Sequence, residues 1–156
     1  IPLVMVGKQA VSEDFDRNHP ENAPFVEFLD KYGKDSEIIR PGFVPDKDLV
    51  TIYNLATVYC QPSFYEGFGL PVLEAMACGT PVVIAKTQAL VEIADGAALI
   101  ADPKDTKDIA DKISKLIKSP TARVLLAKKG KERVERFSWD KTAKETAQLY
   151  CKVLGK

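Results

Sequence analysis

The stretch PSFYEGFGLPVLEAMACGTPVV, Pro62 to Val83, decides the fold. Its centre is Gly67-Phe68-Gly69, a turn that leads into Leu70-Pro71-Val72-Leu73. A helix is expected from Gly69 or Leu70 to about Cys78, with Gly79 as its C-terminal stop. TPVVIA, residues 80–85, then reads as a strand. TVYCQP, residues 57–62, reads as the strand before the turn. The segment is therefore strand, glycine turn, helix, strand.

The same alternation continues in both directions. Leu3 to Val6 is a short continuous apolar run ended by Gly7, the pattern of a strand buried on both faces. FVEFLDKYG predicts a short helix closed by Gly33, and SEIIRPGFV a strand and bend. PDKDLVTIYNLA predicts a helix with Leu49, Ile52, Tyr53 and Ala56 on its apolar face. Downstream come a short helix in QALVEIA and a strand in AALIA. Asp105 is placed to cap a helix carrying Ile109, Ile113, Leu116 and Ile117. Ser119-Pro120 starts another, whose AKKGKERVER run reads as a solvated face. Ser138 caps a last helix with Trp139, Ala143, Thr146, Ala147, Tyr150, Val153 and Leu154 on one stripe, read as core or a packing face. The expected class is α/β, a Rossmann-like parallel sheet with helices on both faces. Ligands of such sheets bind at the carboxyl ends of strands, where residues 62–70 fall.

Charge is balanced, with 22 basic against 22 acidic residues among 156. Nothing therefore points to a nucleic acid or an acidic membrane by bulk attraction, and an anionic ligand needs a local site. Cys60, Cys78 and Cys151 stand at spacings that fit neither a zinc set nor a redox pair. Cys60 and Cys78 read as buried free thiols, which favours a reducing compartment. No apolar run is long enough to span a bilayer. The start in IPLVMVGK, without Met, is read as the beginning of a piece of a longer protein.

Two carboxylates frame the turn. Glu66 precedes it, and Glu74 lies about one turn inside the helix. A glycine-rich turn and a helix start favour an anion such as a diphosphate. A carboxylate would repel a bare phosphate but accepts two hydrogen bonds from a vicinal diol. A nucleotide sugar has diols on both sides of its diphosphate, one for each glutamate. The plain alternative is also open: Glu66 favours the helix dipole and Glu74 is an ordinary exposed helix residue. Tyr65 and Phe68 either wall such a site or pack the turn.

With these residues, the chain resembles the donor-binding domain of the retaining glycosyltransferases of the GT-B fold, the glycosyltransferase group 1 family. The stretch 62–83 is similar to the family's Glu-x7-Glu motif, and GFVPDKDLVTIYNLATVYCQPS, LVEIADGAALIADPKD and RFSWDKTAKETAQLY extend the likeness from Leu3 to Tyr150. The resemblance implies that Glu74 binds the donor ribose and that Glu66 binds the transferred sugar. Glu66 is thus the candidate catalytic residue, with a nucleophilic role left open. The backbone of Gly67, Phe68, Gly69 and Leu70 would meet the sugar hydroxyls and diphosphate. Gly42, Phe43 and Val44 would line the base pocket. It further implies a transfer of hexose with retention, no metal and no cofactor beyond the nucleotide-sugar donor.

One departure follows. The family's diphosphate-gripping arginine and lysine lie upstream of anything resembling IPLVMVG. The chain is therefore expected to be a single partial C-terminal domain, residues 1–156, without its first strand–helix unit or its N-terminal acceptor domain. Lys8 is a weak substitute. Without that strand, the strands at Leu3 and Tyr59 must pair directly or each leave an edge unpaired, which favours instability or association. The expected partners are a nucleotide sugar and the missing N-terminal domain, with no nucleic acid. The expected compartment is the cytoplasm, with peripheral contact to the inner membrane face open to the parent. A non-catalytic nucleotide-sugar module and a GT-B nucleotide-sugar epimerase are the alternatives. Asp14-Phe15-Asp16 and Asp46-Lys47-Asp48 imitate a metal motif but read as loop and helix-start residues. His19, the only histidine, reads as a loop residue.

Overall fold

A computed structural model describes residues 1–7 and 16–155. Lys8 and the Asp14-Phe15 half of the first acidic motif lie outside the described residues. The chain divides into two compact units, Ile1–Leu49 and Val50–Lys156.

In the first unit, β1 (Leu3–Val6) pairs in parallel with β2 (Ile38–Gly42), Leu3 opposite Ile38 and Val6 opposite Gly42. Between them lie a 3₁₀ turn (Pro20–Asn22) and α1 (Ala23–Tyr32), capped by the Gly33 amide on the Leu29 carbonyl. His19 caps the 3₁₀ turn, its Nδ1 accepting from the Glu21 amide at 3.3 Å, so the histidine is a loop residue. The expectation of a strand buried on both faces fails for β1. Leu3, Val4 and Val6 are each 40% exposed or more, because β1 has one strand partner among the described residues.

The helix α2 (Asp46–Leu55) carries the boundary between the units, with Asp46 and Asp48 in its first turn. The second unit holds the sheet β3-β4-β5, all parallel: β3 (Tyr59–Gln61), β4 (Val82–Ala85) and β5 (Leu99–Ala101). Thus β1 and β3 each have a single hydrogen-bonded strand neighbour among the described residues, the second of the two arrangements expected.

Helices cover both faces of this sheet. Val83 faces Leu116 and Leu126, from α5 (Thr106–Lys118) and α6 (Pro120–Val134), with Ala101 completing the cluster. Val82 and Ile84 point the other way by the two-residue period of a strand, toward α3 (Leu70–Ala77) and α4 (Gln88–Ala94). All four β4 residues are buried. Val72, Met76 and Leu90 complete that side without measurable exposure.

The caps are where the sequence placed them. The Asp105 carboxylate accepts from the Lys107 and Asp108 amides, the Ser119 hydroxyl from Ala122 and the Ser138 hydroxyl from Lys141. Two other readings need correction. The run 127–136 is not wholly a solvated face. Gly130 is buried, and a Cβ on it would stand 3.1 Å from the Met76 side chain, so α3 and α6 meet backbone to side chain there. The last helix, α7 (Trp139–Val153), is no core element. None of its residues is buried and Trp139 is 75% exposed, since helical spacing marks an apolar stripe without supplying a surface to cover it. Among the described residues, no helix is long and apolar enough to cross a membrane. Cys60 and Cys78 are free and partly buried rather than fully buried, and Cys151 is exposed.

Candidate functional site at the glycine turn

The site grows from the carboxyl end of β3. After Gln61 the chain bends through Pro62-Ser63-Phe64-Tyr65, reaches Glu66 and turns at Gly67-Phe68-Gly69 into α3. The two glycines have different reasons to be there. Gly69 has φ +107°, and a Cβ on it would meet Leu90 Cδ2 at 2.6 Å, so both backbone and packing require glycine. Gly67 has no left-handed φ, and a Cβ there would meet nothing within 4 Å. Its missing side chain leaves open space.

The mouth of α3 is sparer than a typical helix start. Gly69 offers no capping side chain. Pro71 has no amide hydrogen, and the Val72 amide bonds the Gly69 carbonyl at 3.0 Å. Of the first three helical positions, only Leu70 keeps an amide free to point outward. An anion here gains the helix dipole but few direct donors.

Both glutamates stand beside this mouth, and each is held. Glu66 is half-buried, and its Oε1 accepts from Gln61 Nε2 at 2.5 Å. That amide also donates to Ser63 Oγ at 3.1 Å, while its oxygen accepts from the Tyr59 hydroxyl. Glu74 is exposed, and its Oε2 accepts from the Tyr53 hydroxyl at 3.2 Å. Tyr53 is buried on α2, and its carbonyl accepts from the buried Thr80 hydroxyl at 2.6 Å. Burial is the largest cause raising both phenol pKa values above the ordinary tyrosine range; the neighbouring carboxylates add to it. Both tyrosines therefore remain hydrogen-bond donors at neutral pH. Burial alone pushes the Cys60 thiol up to about 11, which leaves it inert as a nucleophile.

Phe68 closes the other side of the turn. Its ring meets Phe137 edge to face at 6.2 Å and stays 48% exposed. Arg133 lies over Phe137, 4.9 Å from the ring centre. The same guanidinium donates to the carbonyls of Ile93 at 2.7 Å and Glu92 at 2.9 Å, and pairs with Asp95 at 3.3 Å. It thereby closes the C-terminal end of α4. Gly67, Phe68, Ala89, Glu92, Ile93, Arg133 and Phe137 enclose a cleft of about 200 Å³. A larger hollow, about 640 Å³, is lined by Leu29, Asp30, Lys31, Lys34 and Asp35 on the first unit and contains none of the residues singled out. Tyr65 is 85% exposed and packs nothing tightly.

The structure thus gathers Glu66, Gly67, Phe68, Gly69, Leu70 and Glu74 on one lip of the second unit. Gly42 and Val44 belong to the first unit. There Gly42 is buried at the end of β2 with φ +76°, its carbonyl accepting from the Gly7 amide at 2.9 Å, and Val44 is half-buried. Sequence reasoning missed Tyr53 as a polar partner, as well as Gln61, Arg133 and Phe137. Tyr53 stood on a helix face and counted as apolar. Its partner Glu74 is 21 positions away, and no local spacing joins them.

A parallel sheet with helices on both faces, and a glycine turn leading from the end of β3 into a helix, is of the doubly wound α/β class, whose ligands bind at strand ends. The chain matches the family described as Glycosyl transferases group 1 over residues 1–133, and it belongs to that family. It is 40% identical over 149 residues to the O-antigen chain mannosyltransferase B of Escherichia coli, covering 96% of this chain and 37% of that protein. In structure it resembles sucrose-phosphate synthase from Thermosynechococcus elongatus with a TM-score of 0.82 at 29% identity, over 98% of this chain and 38% of that one. It shares the fold of Anabaena Alr3699/HepE, solved in complex with UDP-glucose, with a TM-score of 0.80 at 19% identity, over 97% of this chain and 41% of that one. The chain therefore spans little more than a third of the length of the mannosyltransferase.

Proposed function

We propose that this chain is the donor-binding part of a retaining glycosyltransferase, which moves a hexose from a nucleoside-diphosphate sugar to an acceptor hydroxyl. One observation carries the reading. Glu66 precedes and Glu74 follows a glycine turn that opens a helix, and each accepts a hydrogen bond from a neighbouring side chain. Family membership and the UDP-glucose bound by a protein of the same fold support it.

In this reading the diphosphate lies over Gly67, where no side chain intrudes, and against the Leu70 amide. Glu74 takes the ribose diol. Glu66 takes hydroxyls of the hexose and fixes its ring over the cleft beside Phe68. Transfer breaks the bond between the anomeric carbon and the diphosphate oxygen and forms one to the acceptor oxygen on the same face. Negative charge grows on the leaving diphosphate, and the positive end of α3 stabilises it most in the transition state. The acceptor's proton has the departing diphosphate as a base. Because α3 offers few free amides, further positive charge must come from elsewhere in the parent protein, in line with the basic pair that the family resemblance places upstream. This reading includes no metal and no cofactor beyond the donor, and it places the chemistry in the cytoplasm.

The test is a comparison of two ligands. Glu74→Ala should weaken both nucleoside diphosphate and nucleotide sugar by about ten- to a hundredfold, since a charge-assisted pair contributes roughly 1.5–3 kcal/mol. Glu66→Gln should spare the nucleoside diphosphate and weaken the nucleotide sugar. Equal binding by both variants and the unaltered chain contradicts the assignment. Incubating the full-length parent with donor separates the activities. Acceptor-dependent nucleotide release supports transfer, and epimerised sugar without acceptor overturns it.

A further inference from the structure

The two glutamates are joined through the protein as well as through a prospective ligand. Tyr53 donates to Glu74, and its ring meets Tyr59 edge to face at 5.5 Å and 82°. Tyr59 donates to the Gln61 oxygen, and the amide nitrogen of Gln61 donates to Glu66. A run of three side chains, Tyr53 from α2 and Tyr59 and Gln61 from β3, thus ends on both carboxylates.

Each link has a chemical direction. A glutamine amide nitrogen only donates, an ionised carboxylate only accepts, and a tyrosine hydroxyl facing a carboxylate must donate to it. The Gln61 amide has two orientations of nearly equal shape. One aims its nitrogen at Glu66; the other would aim its oxygen at a carboxylate. The acceptor-only Glu66 carboxylate requires the first, and the Tyr59 hydroxyl supports it by donating to the Gln61 oxygen. Tyr53 cannot follow a moving Glu74, because its ring is buried and the Thr80 hydroxyl holds its backbone. Each glutamate is thereby ordered before a ligand arrives, which takes that ordering out of the cost of binding. Each also keeps an oxygen free of these bonds, since Tyr53 uses Oε2 of Glu74 and Gln61 uses Oε1 of Glu66.

We infer that Tyr53 and Gln61, the latter supported by Tyr59, are positioning residues. They hold Glu74 and Glu66 as a matched pair on the two flanks of the turn, so that each carboxylate meets a different hydroxyl set of one ligand. The inference rests on the donor reading above and adds a division of labour to it. Tyr53 serves the nucleotide half, and Gln61 with Tyr59 serves the sugar half.

The experiment is titration calorimetry of the full chain with UDP, GDP, UDP-glucose and GDP-mannose, scored on whichever nucleotide binds tighter. Tyr53→Phe keeps the ring and loses the donor. It should weaken the free diphosphate and its sugar ester by the same factor, about three- to tenfold. Gln61→Glu keeps the shape and sets an acceptor against Glu66. It should leave the free diphosphate within about twofold and weaken the sugar ester by about tenfold or more. Tyr59→Phe should repeat that selective loss at smaller size, which keeps the sugar arm testable if Gln61→Glu folds poorly. A purely structural role would lower both ligands together in every variant, and that result overturns the inference. Unchanged binding in all three variants overturns it as well. Glu74→Ala and Glu66→Gln are run beside them. If these two weaken binding while the tyrosine and glutamine variants do not, the inference fails and the donor reading stands. If they also change nothing, or if the unaltered chain binds none of the four probes, the donor reading itself fails.

Discussion

The strands β1 and β4 are both parallel, four residues long and continuously apolar, yet they live in opposite surroundings. Every residue of β4 is at most 1% exposed, whereas three of the four in β1 are at least 40% exposed. Sequence pattern is the same; the cover differs. Two strand neighbours and four helices enclose β4, while β1 has β2 alone as strand partner among the described residues. An apolar run states what a strand can bury, and the neighbouring elements decide what it does bury. The glutamates and their glycine turn are built beside the well-covered strand. Carboxylates that must be aimed need a rigid support.

The comparison can be broken at its strongest point. Ile84→Ala in β4 should cost about 2–5 kcal/mol, and Val4→Ala in β1 well under about 1 kcal/mol, because only the first leaves a cavity. Urea midpoints measure both, and similar costs would erase the contrast. Next in size is Arg133→Met. It removes charged donors from the Ile93 and Glu92 carbonyls and should cost about 1.5–3 kcal/mol. Lys128→Ala, in the same charged run but exposed and 3.9 Å from Glu132, should change stability by under about 0.5 kcal/mol. The pair separates the braced part of that run from the solvated part.

The two glycines give a sharper contrast. Gly69→Ala should destabilise by about 1–3 kcal/mol through its left-handed backbone and the Leu90 clash. Gly67→Ala should stay within about 0.5 kcal/mol in thermal melts. It should nonetheless weaken nucleotide-sugar binding, because its new methyl enters the space assigned to the diphosphate. Equal stability loss at both positions would remove the distinction. The smallest effect is alkaline. Tyr53 and Tyr59 have pKa values raised in the folded chain, so above about pH 10 the unfolded chain releases protons that the folded chain keeps. Their contribution is full below that pH and declines as pH rises further. Urea midpoints from pH 8 to 11 should fall less steeply for Tyr53→Phe than for the unaltered chain.

Much of the second unit could be read from sequence because local rules specify it. The stop at Gly79, the caps at Asp105, Ser119 and Ser138, and the helix start at Leu70 depend on residues within one turn of each other. Glu66 and Glu74 could be considered together for the same reason, since they stand eight positions apart. What escaped was long-range. Tyr53 finds Glu74, Arg133 reaches back 40 positions to the Ile93 carbonyl, and Gly130 is small because Met76 lies against it. The stripe on α7 and the run in β1 misled because periodicity reports amphipathic character, and exposure depends on which element comes to cover it.

The most direct measurement is a crystal structure of the chain soaked with a nucleoside-diphosphate hexose. The account predicts phosphates over Gly67 and the Leu70 amide, ribose hydroxyls on Glu74 and hexose hydroxyls on Glu66. A donor whose phosphates sit away from that corner, with both carboxylates turned to solvent, would contradict it.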